Sequence, residues 1–424
     1  MSKRILILTV TIILPYFLRS QDIKALQDKF LEAEYFFMRG DYQDALPDYL
    51  QLYESLNENA NLAYRIGVCY LNIAGKKNLS TAYLETATHR MSSRHKEGSV
   101  SQATAPYDAL FQLGIAYRIN HQFDKAKEAF KEYKATLLGN DIQNIRFVEQ
   151  EIKSCENAQS LISKPVDFTI RNMGNVINDD KDNYNPVISK DGKSFVFMTT
   201  LPFYNAIMYS RLVNGKWTTP VNITPDLQID GDAFVSSLSS DGKILFLSQD
   251  DDYNSDLYFS TYDGKKWSRT EKLNRNINTR YWESHGCISE DGNYLVFASD
   301  RPGGFGGLDL YISKWENKEW GPAVNLGPEI NSMFNEDRPF FTNNIKTLFF
   351  ASQDHDNIGG YDIFRSDMQS NGIWNKPVNL GYPLNTTDDN IFFMPVDDGK
   401  AGYISLFRET DSYGKNDIYK ITFK

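Results

Sequence analysis

Cysteine and histidine are scarce: three and five residues in a chain of 424. Cys69, Cys155 and Cys287 are too scattered for a disulfide framework or a zinc site, and read as small buried hydrophobes. His89, His95, His121, His285 and His355 show no metal-ligand spacing, and no Ser or Cys nucleophile motif occurs. No catalytic residue, metal site or cofactor is therefore expected. Basic charge is also short, with 45 Lys and Arg against 55 Asp and Glu, leaving a net charge of −10. That balance disfavours nucleic acid and anionic lipid surfaces as partners. Beyond residue 20 no stretch is apolar enough to span a bilayer.

The first twenty residues are different. Lys3 and Arg4 precede an apolar run from Ile5 to Leu18, and Leu18-Arg19-Ser20 puts a small residue before Gln21. This is the pattern of a secretory signal peptide, residues 1–20, with an uncleaved anchor as the rival reading. Its removal takes three basic residues and no acidic one, shifting the charge from −10 to −13. An exported protein is expected, in the periplasm or at the periplasmic face of an outer membrane, with no membrane span after cleavage.

Residues 21–160 carry a helical period. AEYFFMRGDYQDALPDYL (33–50) and LFQLGIAYRINHQFDKAKEAFKEY (110–133) place small residues and aromatics in matching slots, and NLAYRIGVCYLN (61–72) falls in register between them. Ala33 to Gly67 is 34 residues; Gly67 to Gly114 is 47, which implies an inserted loop at 90–104. The segment resembles the tetratricopeptide repeat, whose small residues let paired helices approach closely. The resemblance implies a concave face that binds peptides or partner helices, or that stacks on a neighbouring domain.

After Pro165 the period becomes alternating. SKDGKSFVFMTT (189–200), SSDGKILFLSQD (239–250), SEDGNYLVFASD (289–300) and TNNIKTLFFASQ (342–353) each read as a tight turn between two strands, with a weaker fifth copy at 396–407. A D-[LI]-[YF] motif follows at Asp256, Asp309, Asp362 and Asp417, and a tryptophan motif at Trp217, Trp267, Trp320 and Trp374. Four short strands per unit, five times over, predict a five-bladed β-propeller over 166–424. The fold class expected is therefore a two-domain α + β chain: helical repeat, then propeller. The four aspartates and four tryptophans are expected to be structural, with calcium binding by the Asp-rich loop 250–256 as the rival reading for that loop. Blade one departs, with Ala206 in the aspartate slot.

The stretch RPGGFGGLDLY (301–311) invites a phosphate reading, but a strand follows it and not a helix. Its glycines are expected to supply positive φ in a long hairpin loop. The last blade has no tryptophan strand, so Asp167–Arg171 is expected to pair with Asp417–Thr422 and close the ring. Asp182, Asp232, Glu283, Glu336 and Asp389 lie eight or nine residues before each first turn. They are read either as solvated loop residues or carboxylates that cap loop backbone, or as an acidic ring at the axis that attracts a cation or a basic peptide.

The blade motifs resemble the WD40-like PD40 repeats, also found in TolB-type propellers. Leader, helical repeat and PD40 blades in this order resemble the PorE-type proteins of Bacteroidota. That resemblance implies a non-catalytic scaffold binding cell-envelope proteins, among them outer-membrane components of the type IX secretion or gliding machinery. The family's carboxypeptidase-regulatory-like and OmpA-like domains have no counterpart before Lys424. The alternatives are a five-bladed glycosidase, which works with two carboxylates near the axis, and a glycan-binding propeller.

Overall fold

The computed structural model describes residues 23–424 apart from 57, 230, 252 and 253. The expected leader, and part of the Asp-rich loop, lie outside the described residues. Two compact units divide after Ile152.

The first unit is helical: α1 (23–38), α2 (Tyr42–Ser55), α3 (Ala60–Leu71), α4 (Ser80–Thr88), α5 (Asp108–Ile119), α6 (Phe123–Thr136) and the start of α7 (Ile142–Ile162). Asn59 caps α3, its side chain accepting from Leu62 N at 3.0 Å. Glycines at helix contacts explain the packing. A Cβ on Gly67 would stand 2.5 Å from Leu84 Cγ, and one on Gly114 2.5 Å from Phe130 Cε1. Only a bare backbone lets α3 meet α4, and α5 meet α6, at this distance. Phe30, Ala33, Ala45, Tyr49, Leu52 and Ile66 form the buried core where α1, α2 and α3 meet. The 90–104 segment is non-helical as expected, held by a bridge between Met91 and Ala105.

The second unit holds five antiparallel sheets. Their innermost strands are Asn183–Ile188, Ala233–Leu238, Glu283–Ile288, Glu336–Thr342 and Met394–Val396. Each lies beside the next around a closed ring, so the sheets are blades about one axis. The second strands (FVFM, ILFL, YLVF, LFFA) read as unbroken apolar runs because both their faces are buried between neighbouring blades.

The closure is as expected, shifted by one residue. Phe168–Asn172 forms the outer strand of blade five, with Phe168 opposite Phe423, Ile170 opposite Ile421 and Asn172 opposite Tyr419. The fourth strand of the other blades differs from expectation. It is the two-residue step four positions after each tryptophan: Val221–Asn222, Glu271–Lys272, Val324–Asn325 and Val378–Asn379. The tryptophans pair with an overhang of the third strand, as Trp217 does with Leu212 and Trp320 with Trp315. There they pack as core: Trp267 lies 5.5 Å from the Tyr209 ring, Trp374 6.4 Å from Phe341 and Trp217 5.3 Å from Phe195. Cys69, Cys155 and Cys287 are buried and form no disulfide among the described residues.

Candidate functional site

The D-[LI]-[YF] aspartates are buried. Asp309 accepts from Phe305 N (2.7 Å) and Asn325 Nδ2 (2.8 Å); Asn325 Oδ1 accepts from Asn331 Nδ2, whose Oδ1 accepts from Leu310 N. The same Asp-Asn-Asn relay runs through Asp362, Asn379 and Asn385 in blade four. In blade five it joins the two ends of the propeller, through Asp417, Asn172 and Asn178. Asp256 pairs with Lys272 instead, and blade one, lacking the aspartate, uses the Thr224 hydroxyl to receive Ile207 N. The second and third members of the relay are visible as VNLGPEIN (324–331) and VNLGYPLN (378–385), a spacing the sequence reading did not use.

The glycine stretch is tied to this relay, and its reading needs correction. Only Gly303 has positive φ, +98°. The other three are demanded by close approach. A Cβ on Gly306 would stand 2.5 Å from the Phe334 carbonyl oxygen, and one on Gly304 2.8 Å from the Asp309 carboxyl carbon. The loop lies flat on the next blade, with Gly307 N donating to Phe334 O and Leu308 N to Asn335 Oδ1. Gly306→Ala should therefore destabilise the propeller by about 3 kcal/mol or more, as backbone overpacking does. Gly303→Ala has open space around it and should cost about 1 kcal/mol. Urea denaturation of the two variants checks the order.

The five acidic residues do not share one register. Glu283 and Glu336 are the first residues of their inner strands, both 0% exposed. Each accepts from the backbone four residues earlier, Thr279 N and Ser332 N, at 2.7 Å. Their remaining oxygens take Ser299, Thr279 and Arg301, or Ser332 and Ser352. Asn183 and Asn390 do the same work in blades one and five. Asp182, Asp232 and Asp389 sit one residue earlier, where the strand's alternation turns the side chain elsewhere. Asp389 accepts Tyr361 N of the preceding blade at 2.9 Å, Asp182 bonds Asn416, and Asp232 is exposed. Counting back eight or nine residues merged these two registers.

What does stand at the axis is a mixed cluster at the start of the inner strands. Arg338 Nη1 donates to Asn185 Oδ1 at 3.1 Å, linking blades four and one. Both residues have left-handed φ (+50° and +48°), each precedes a proline, and each sits in a bulge of its strand. Arg338 also lies over the Phe392 ring. Asp337 accepts from Arg338 N (2.7 Å) and from Ser284 Oγ (3.2 Å), with His285 Nδ1 at 3.8 Å. Burial holds the His285 imidazole neutral, with its pKa well below the usual value, and raises that of Asp337.

Toward the other face, the axis opens. A cavity of about 500 Å³ is lined by the inner-strand ends and turns of all five blades, including Lys190, Leu238, Cys287, Phe341, Asp397 and Tyr403. The Thr342 hydroxyl is buried at its wall with no hydrogen-bond partner among the described residues. The Cys287 thiol is pushed up to about 12 by burial, so it is not a nucleophile at neutral pH.

Five such blades, a strand borrowed from the start of the domain, and an axial funnel define a five-bladed β-propeller. No family model and no curated protein matches the chain. Among solved structures it is similar to TolB from Acinetobacter baumannii, at 16% identity and a TM-score of 0.37, covering 57% of this chain and 55% of that one. It is also similar to an alpha-L-arabinofuranosidase from Lactobacillus brevis (14%, TM-score 0.37, 57% and 91%). A third is the GH62 alpha-L-arabinofuranosidase catalytic domain of Coprinopsis cinerea (9%, TM-score 0.37, 61% and 98%). The chain spans about half the length of the Acinetobacter protein.

Proposed function

We propose that the chain is a non-catalytic, exported adaptor whose propeller binds a protein partner at the axial funnel. The observation that carries this reading is how the axial carboxylates are used. A glycosidase needs two carboxylates facing substrate, one of them held protonated. Glu336, raised to about 7, is fully enclosed and spent on Ser332 and Ser352, and Asp337, also raised by burial, is held by Arg338 N and Ser284 Oγ. In the funnel, Asp191 is held below the usual range by the Ser189 hydroxyl, the wrong direction for an acid catalyst. The helical unit is read as tetratricopeptide repeats offering a second binding surface. With the PorE-type resemblance, the partners are cell-envelope proteins, including outer-membrane components of type IX secretion or gliding. Asp182, Asp232 and Asp389 supply a further acidic surface for a basic partner.

The test combines fractionation, pull-down from the native envelope, and assays on arabinan, xylan and peptidoglycan. Envelope capture should fall at least tenfold in the funnel variant Asp397→Lys/Lys190→Glu, with no glycan turned over. Asp182→Asn/Asp232→Asn/Asp389→Asn shows what the acidic surface adds. Glycan turnover abolished by Asp232→Asn or Glu283→Gln would establish the glycosidase instead.

A further inference from the structure

A second cavity, of about 600 Å³, lies between blades two and three. At the seam between blades one and two the corresponding space is filled by an aromatic cluster: Tyr209, Tyr262 and Trp267, with ring centroids 5.2–5.5 Å apart. Between blades two and three the equivalent residues are Phe259, Trp315 and Trp320, and they line an open groove. Trp315 meets Trp320 edge-on at 5.1 Å and remains 43% exposed. The groove is pre-formed, because Asn274 and Asn276 of blade two both donate to the Trp320 carbonyl, at 2.8 and 2.7 Å.

Acidic side chains outnumber basic ones around this aromatic floor, with Glu290 on its rim. Asp241, Asp291 and Glu319 line it. Asp291 is held below the usual carboxylate range by the Ser289 hydroxyl, so it stays ionised. Lys272 also lines the groove but is paired with the buried Asp256, leaving Lys318 as the other cation there. Asn274 Nδ2 is committed to Trp320, which fixes the orientation of its amide; its Oδ1 is buried without a partner. A site with exposed indole, apolar depth and an excess of carboxylates suits a ligand that is a hydrogen-bond donor, positively charged, and carried on an aliphatic stem.

We propose that this groove is an anchor pocket for an arginine side chain of an extended peptide, its guanidinium over Trp315 and its donors on Glu319. The groove and the axial funnel share Ser240, Ile288 and Glu290 along their common rim, so one peptide can occupy both. The inference rests on the reading of the propeller as a protein-binding module.

The experiment titrates the full chain with acetyl-Leu-Arg-Leu-amide, following tryptophan indole resonances by NMR. The same peptide with citrulline for arginine keeps shape and removes charge; xylotriose serves as a neutral sugar. The arginine peptide is expected to shift the Trp315 and Trp320 signals and to bind at least tenfold more tightly than the citrulline peptide. Trp315→Ala and Glu319→Lys should each lower its affinity at least fivefold; both alter exposed side chains, and the unchanged indole spectrum of Glu319→Lys reports the fold. Equal binding of the two peptides, binding of neither, or binding of xylotriose in their place would overturn the proposal. Envelope capture that survives in the groove variants, with no peptide binding, refutes the pocket alone. Peptide binding that survives while the funnel variant captures normally refutes the axial reading alone.

Discussion

Ending the chain at Asn416 should abolish the propeller as a cooperative unit, even though four blades keep every residue. The lost segment, Asp417–Phe423, is the third strand of blade five, sandwiched between Ala401–Leu406 and the borrowed strand Phe168–Asn172. Ile418, Tyr419 and Ile421 are 0% exposed. At about 1.5–3 kcal/mol for each buried side chain, the loss is roughly 5–9 kcal/mol before any hydrogen bond is counted. That approaches the whole stability of a typical domain, about 5–15 kcal/mol. The relay through Asn172 and Asn178 also loses its aspartate. Calorimetry should show the propeller transition gone or shifted down by more than 15 °C by the usual scaling. A transition within a few degrees of the intact protein would show that the ring does not depend on this closure. Asp417→Asn, which keeps the strand, should cost far less.

The second large effect is a dependence on pH. Burial raises Glu336 from 4.5 to about 7, against the pull of the Ser332 and Ser352 hydroxyls. A carboxyl whose pKa is raised by folding stabilises the native state while protonated. Its contribution is complete below the unfolded value and is lost as pH rises through the folded one. At 1.36 kcal/mol per unit, the propeller should lose about 3 kcal/mol from this group between pH 4.5 and pH 8. Glu283, also raised by burial, slopes the same way but is opposed by Arg301. Glu336→Gln keeps the neutral shape, and the serine hydroxyls can turn to accept from its amide. Chemical denaturation of wild type and Glu336→Gln across this range should show the slope reduced in the variant. Parallel slopes would mean that the Glu336 carboxyl is ionised in the fold.

Blade number, blade limits and the closing strand were legible because each rests on a repeated local signal: turn, apolar run, D-[LI]-[YF]. The period of about fifty residues gave five readings of one pattern, so a weak copy such as 396–407 could be placed by its neighbours. Strand alternation is less forgiving. A bulge in the inner strands, as between Ser284 and Gly286, shifts side chains by one position, and its marks, Pro186, Gly286 and Pro339, were not used in the reading. The acidic set mixed buried acceptors with loop residues because a count of eight or nine admits two neighbouring positions that face opposite ways. The glycines of 303–307 were misassigned for a related reason. Positive φ is a local demand, readable from a turn; a neighbouring blade 2.5 Å away is not. Arg338 and Asn185 are 153 residues apart, and only the closed ring brings them together.

The pairing of Phe168 with Phe423 has a consequence for how the chain is made. The borrowed strand is among the first parts of the propeller to be synthesised, and its partner is the last. At roughly 5–20 residues per second, it waits about 12–50 s with an unpaired edge. Throughout that time the strand, with Phe168, Ile170 and Asn172 on one face, can pair with the edge of another nascent chain. Contacts of such long sequence separation also form slowly. The ring is therefore most vulnerable before it exists, and a chaperone that shields residues 166–172 should raise the yield of closed propeller more than one acting on any later blade.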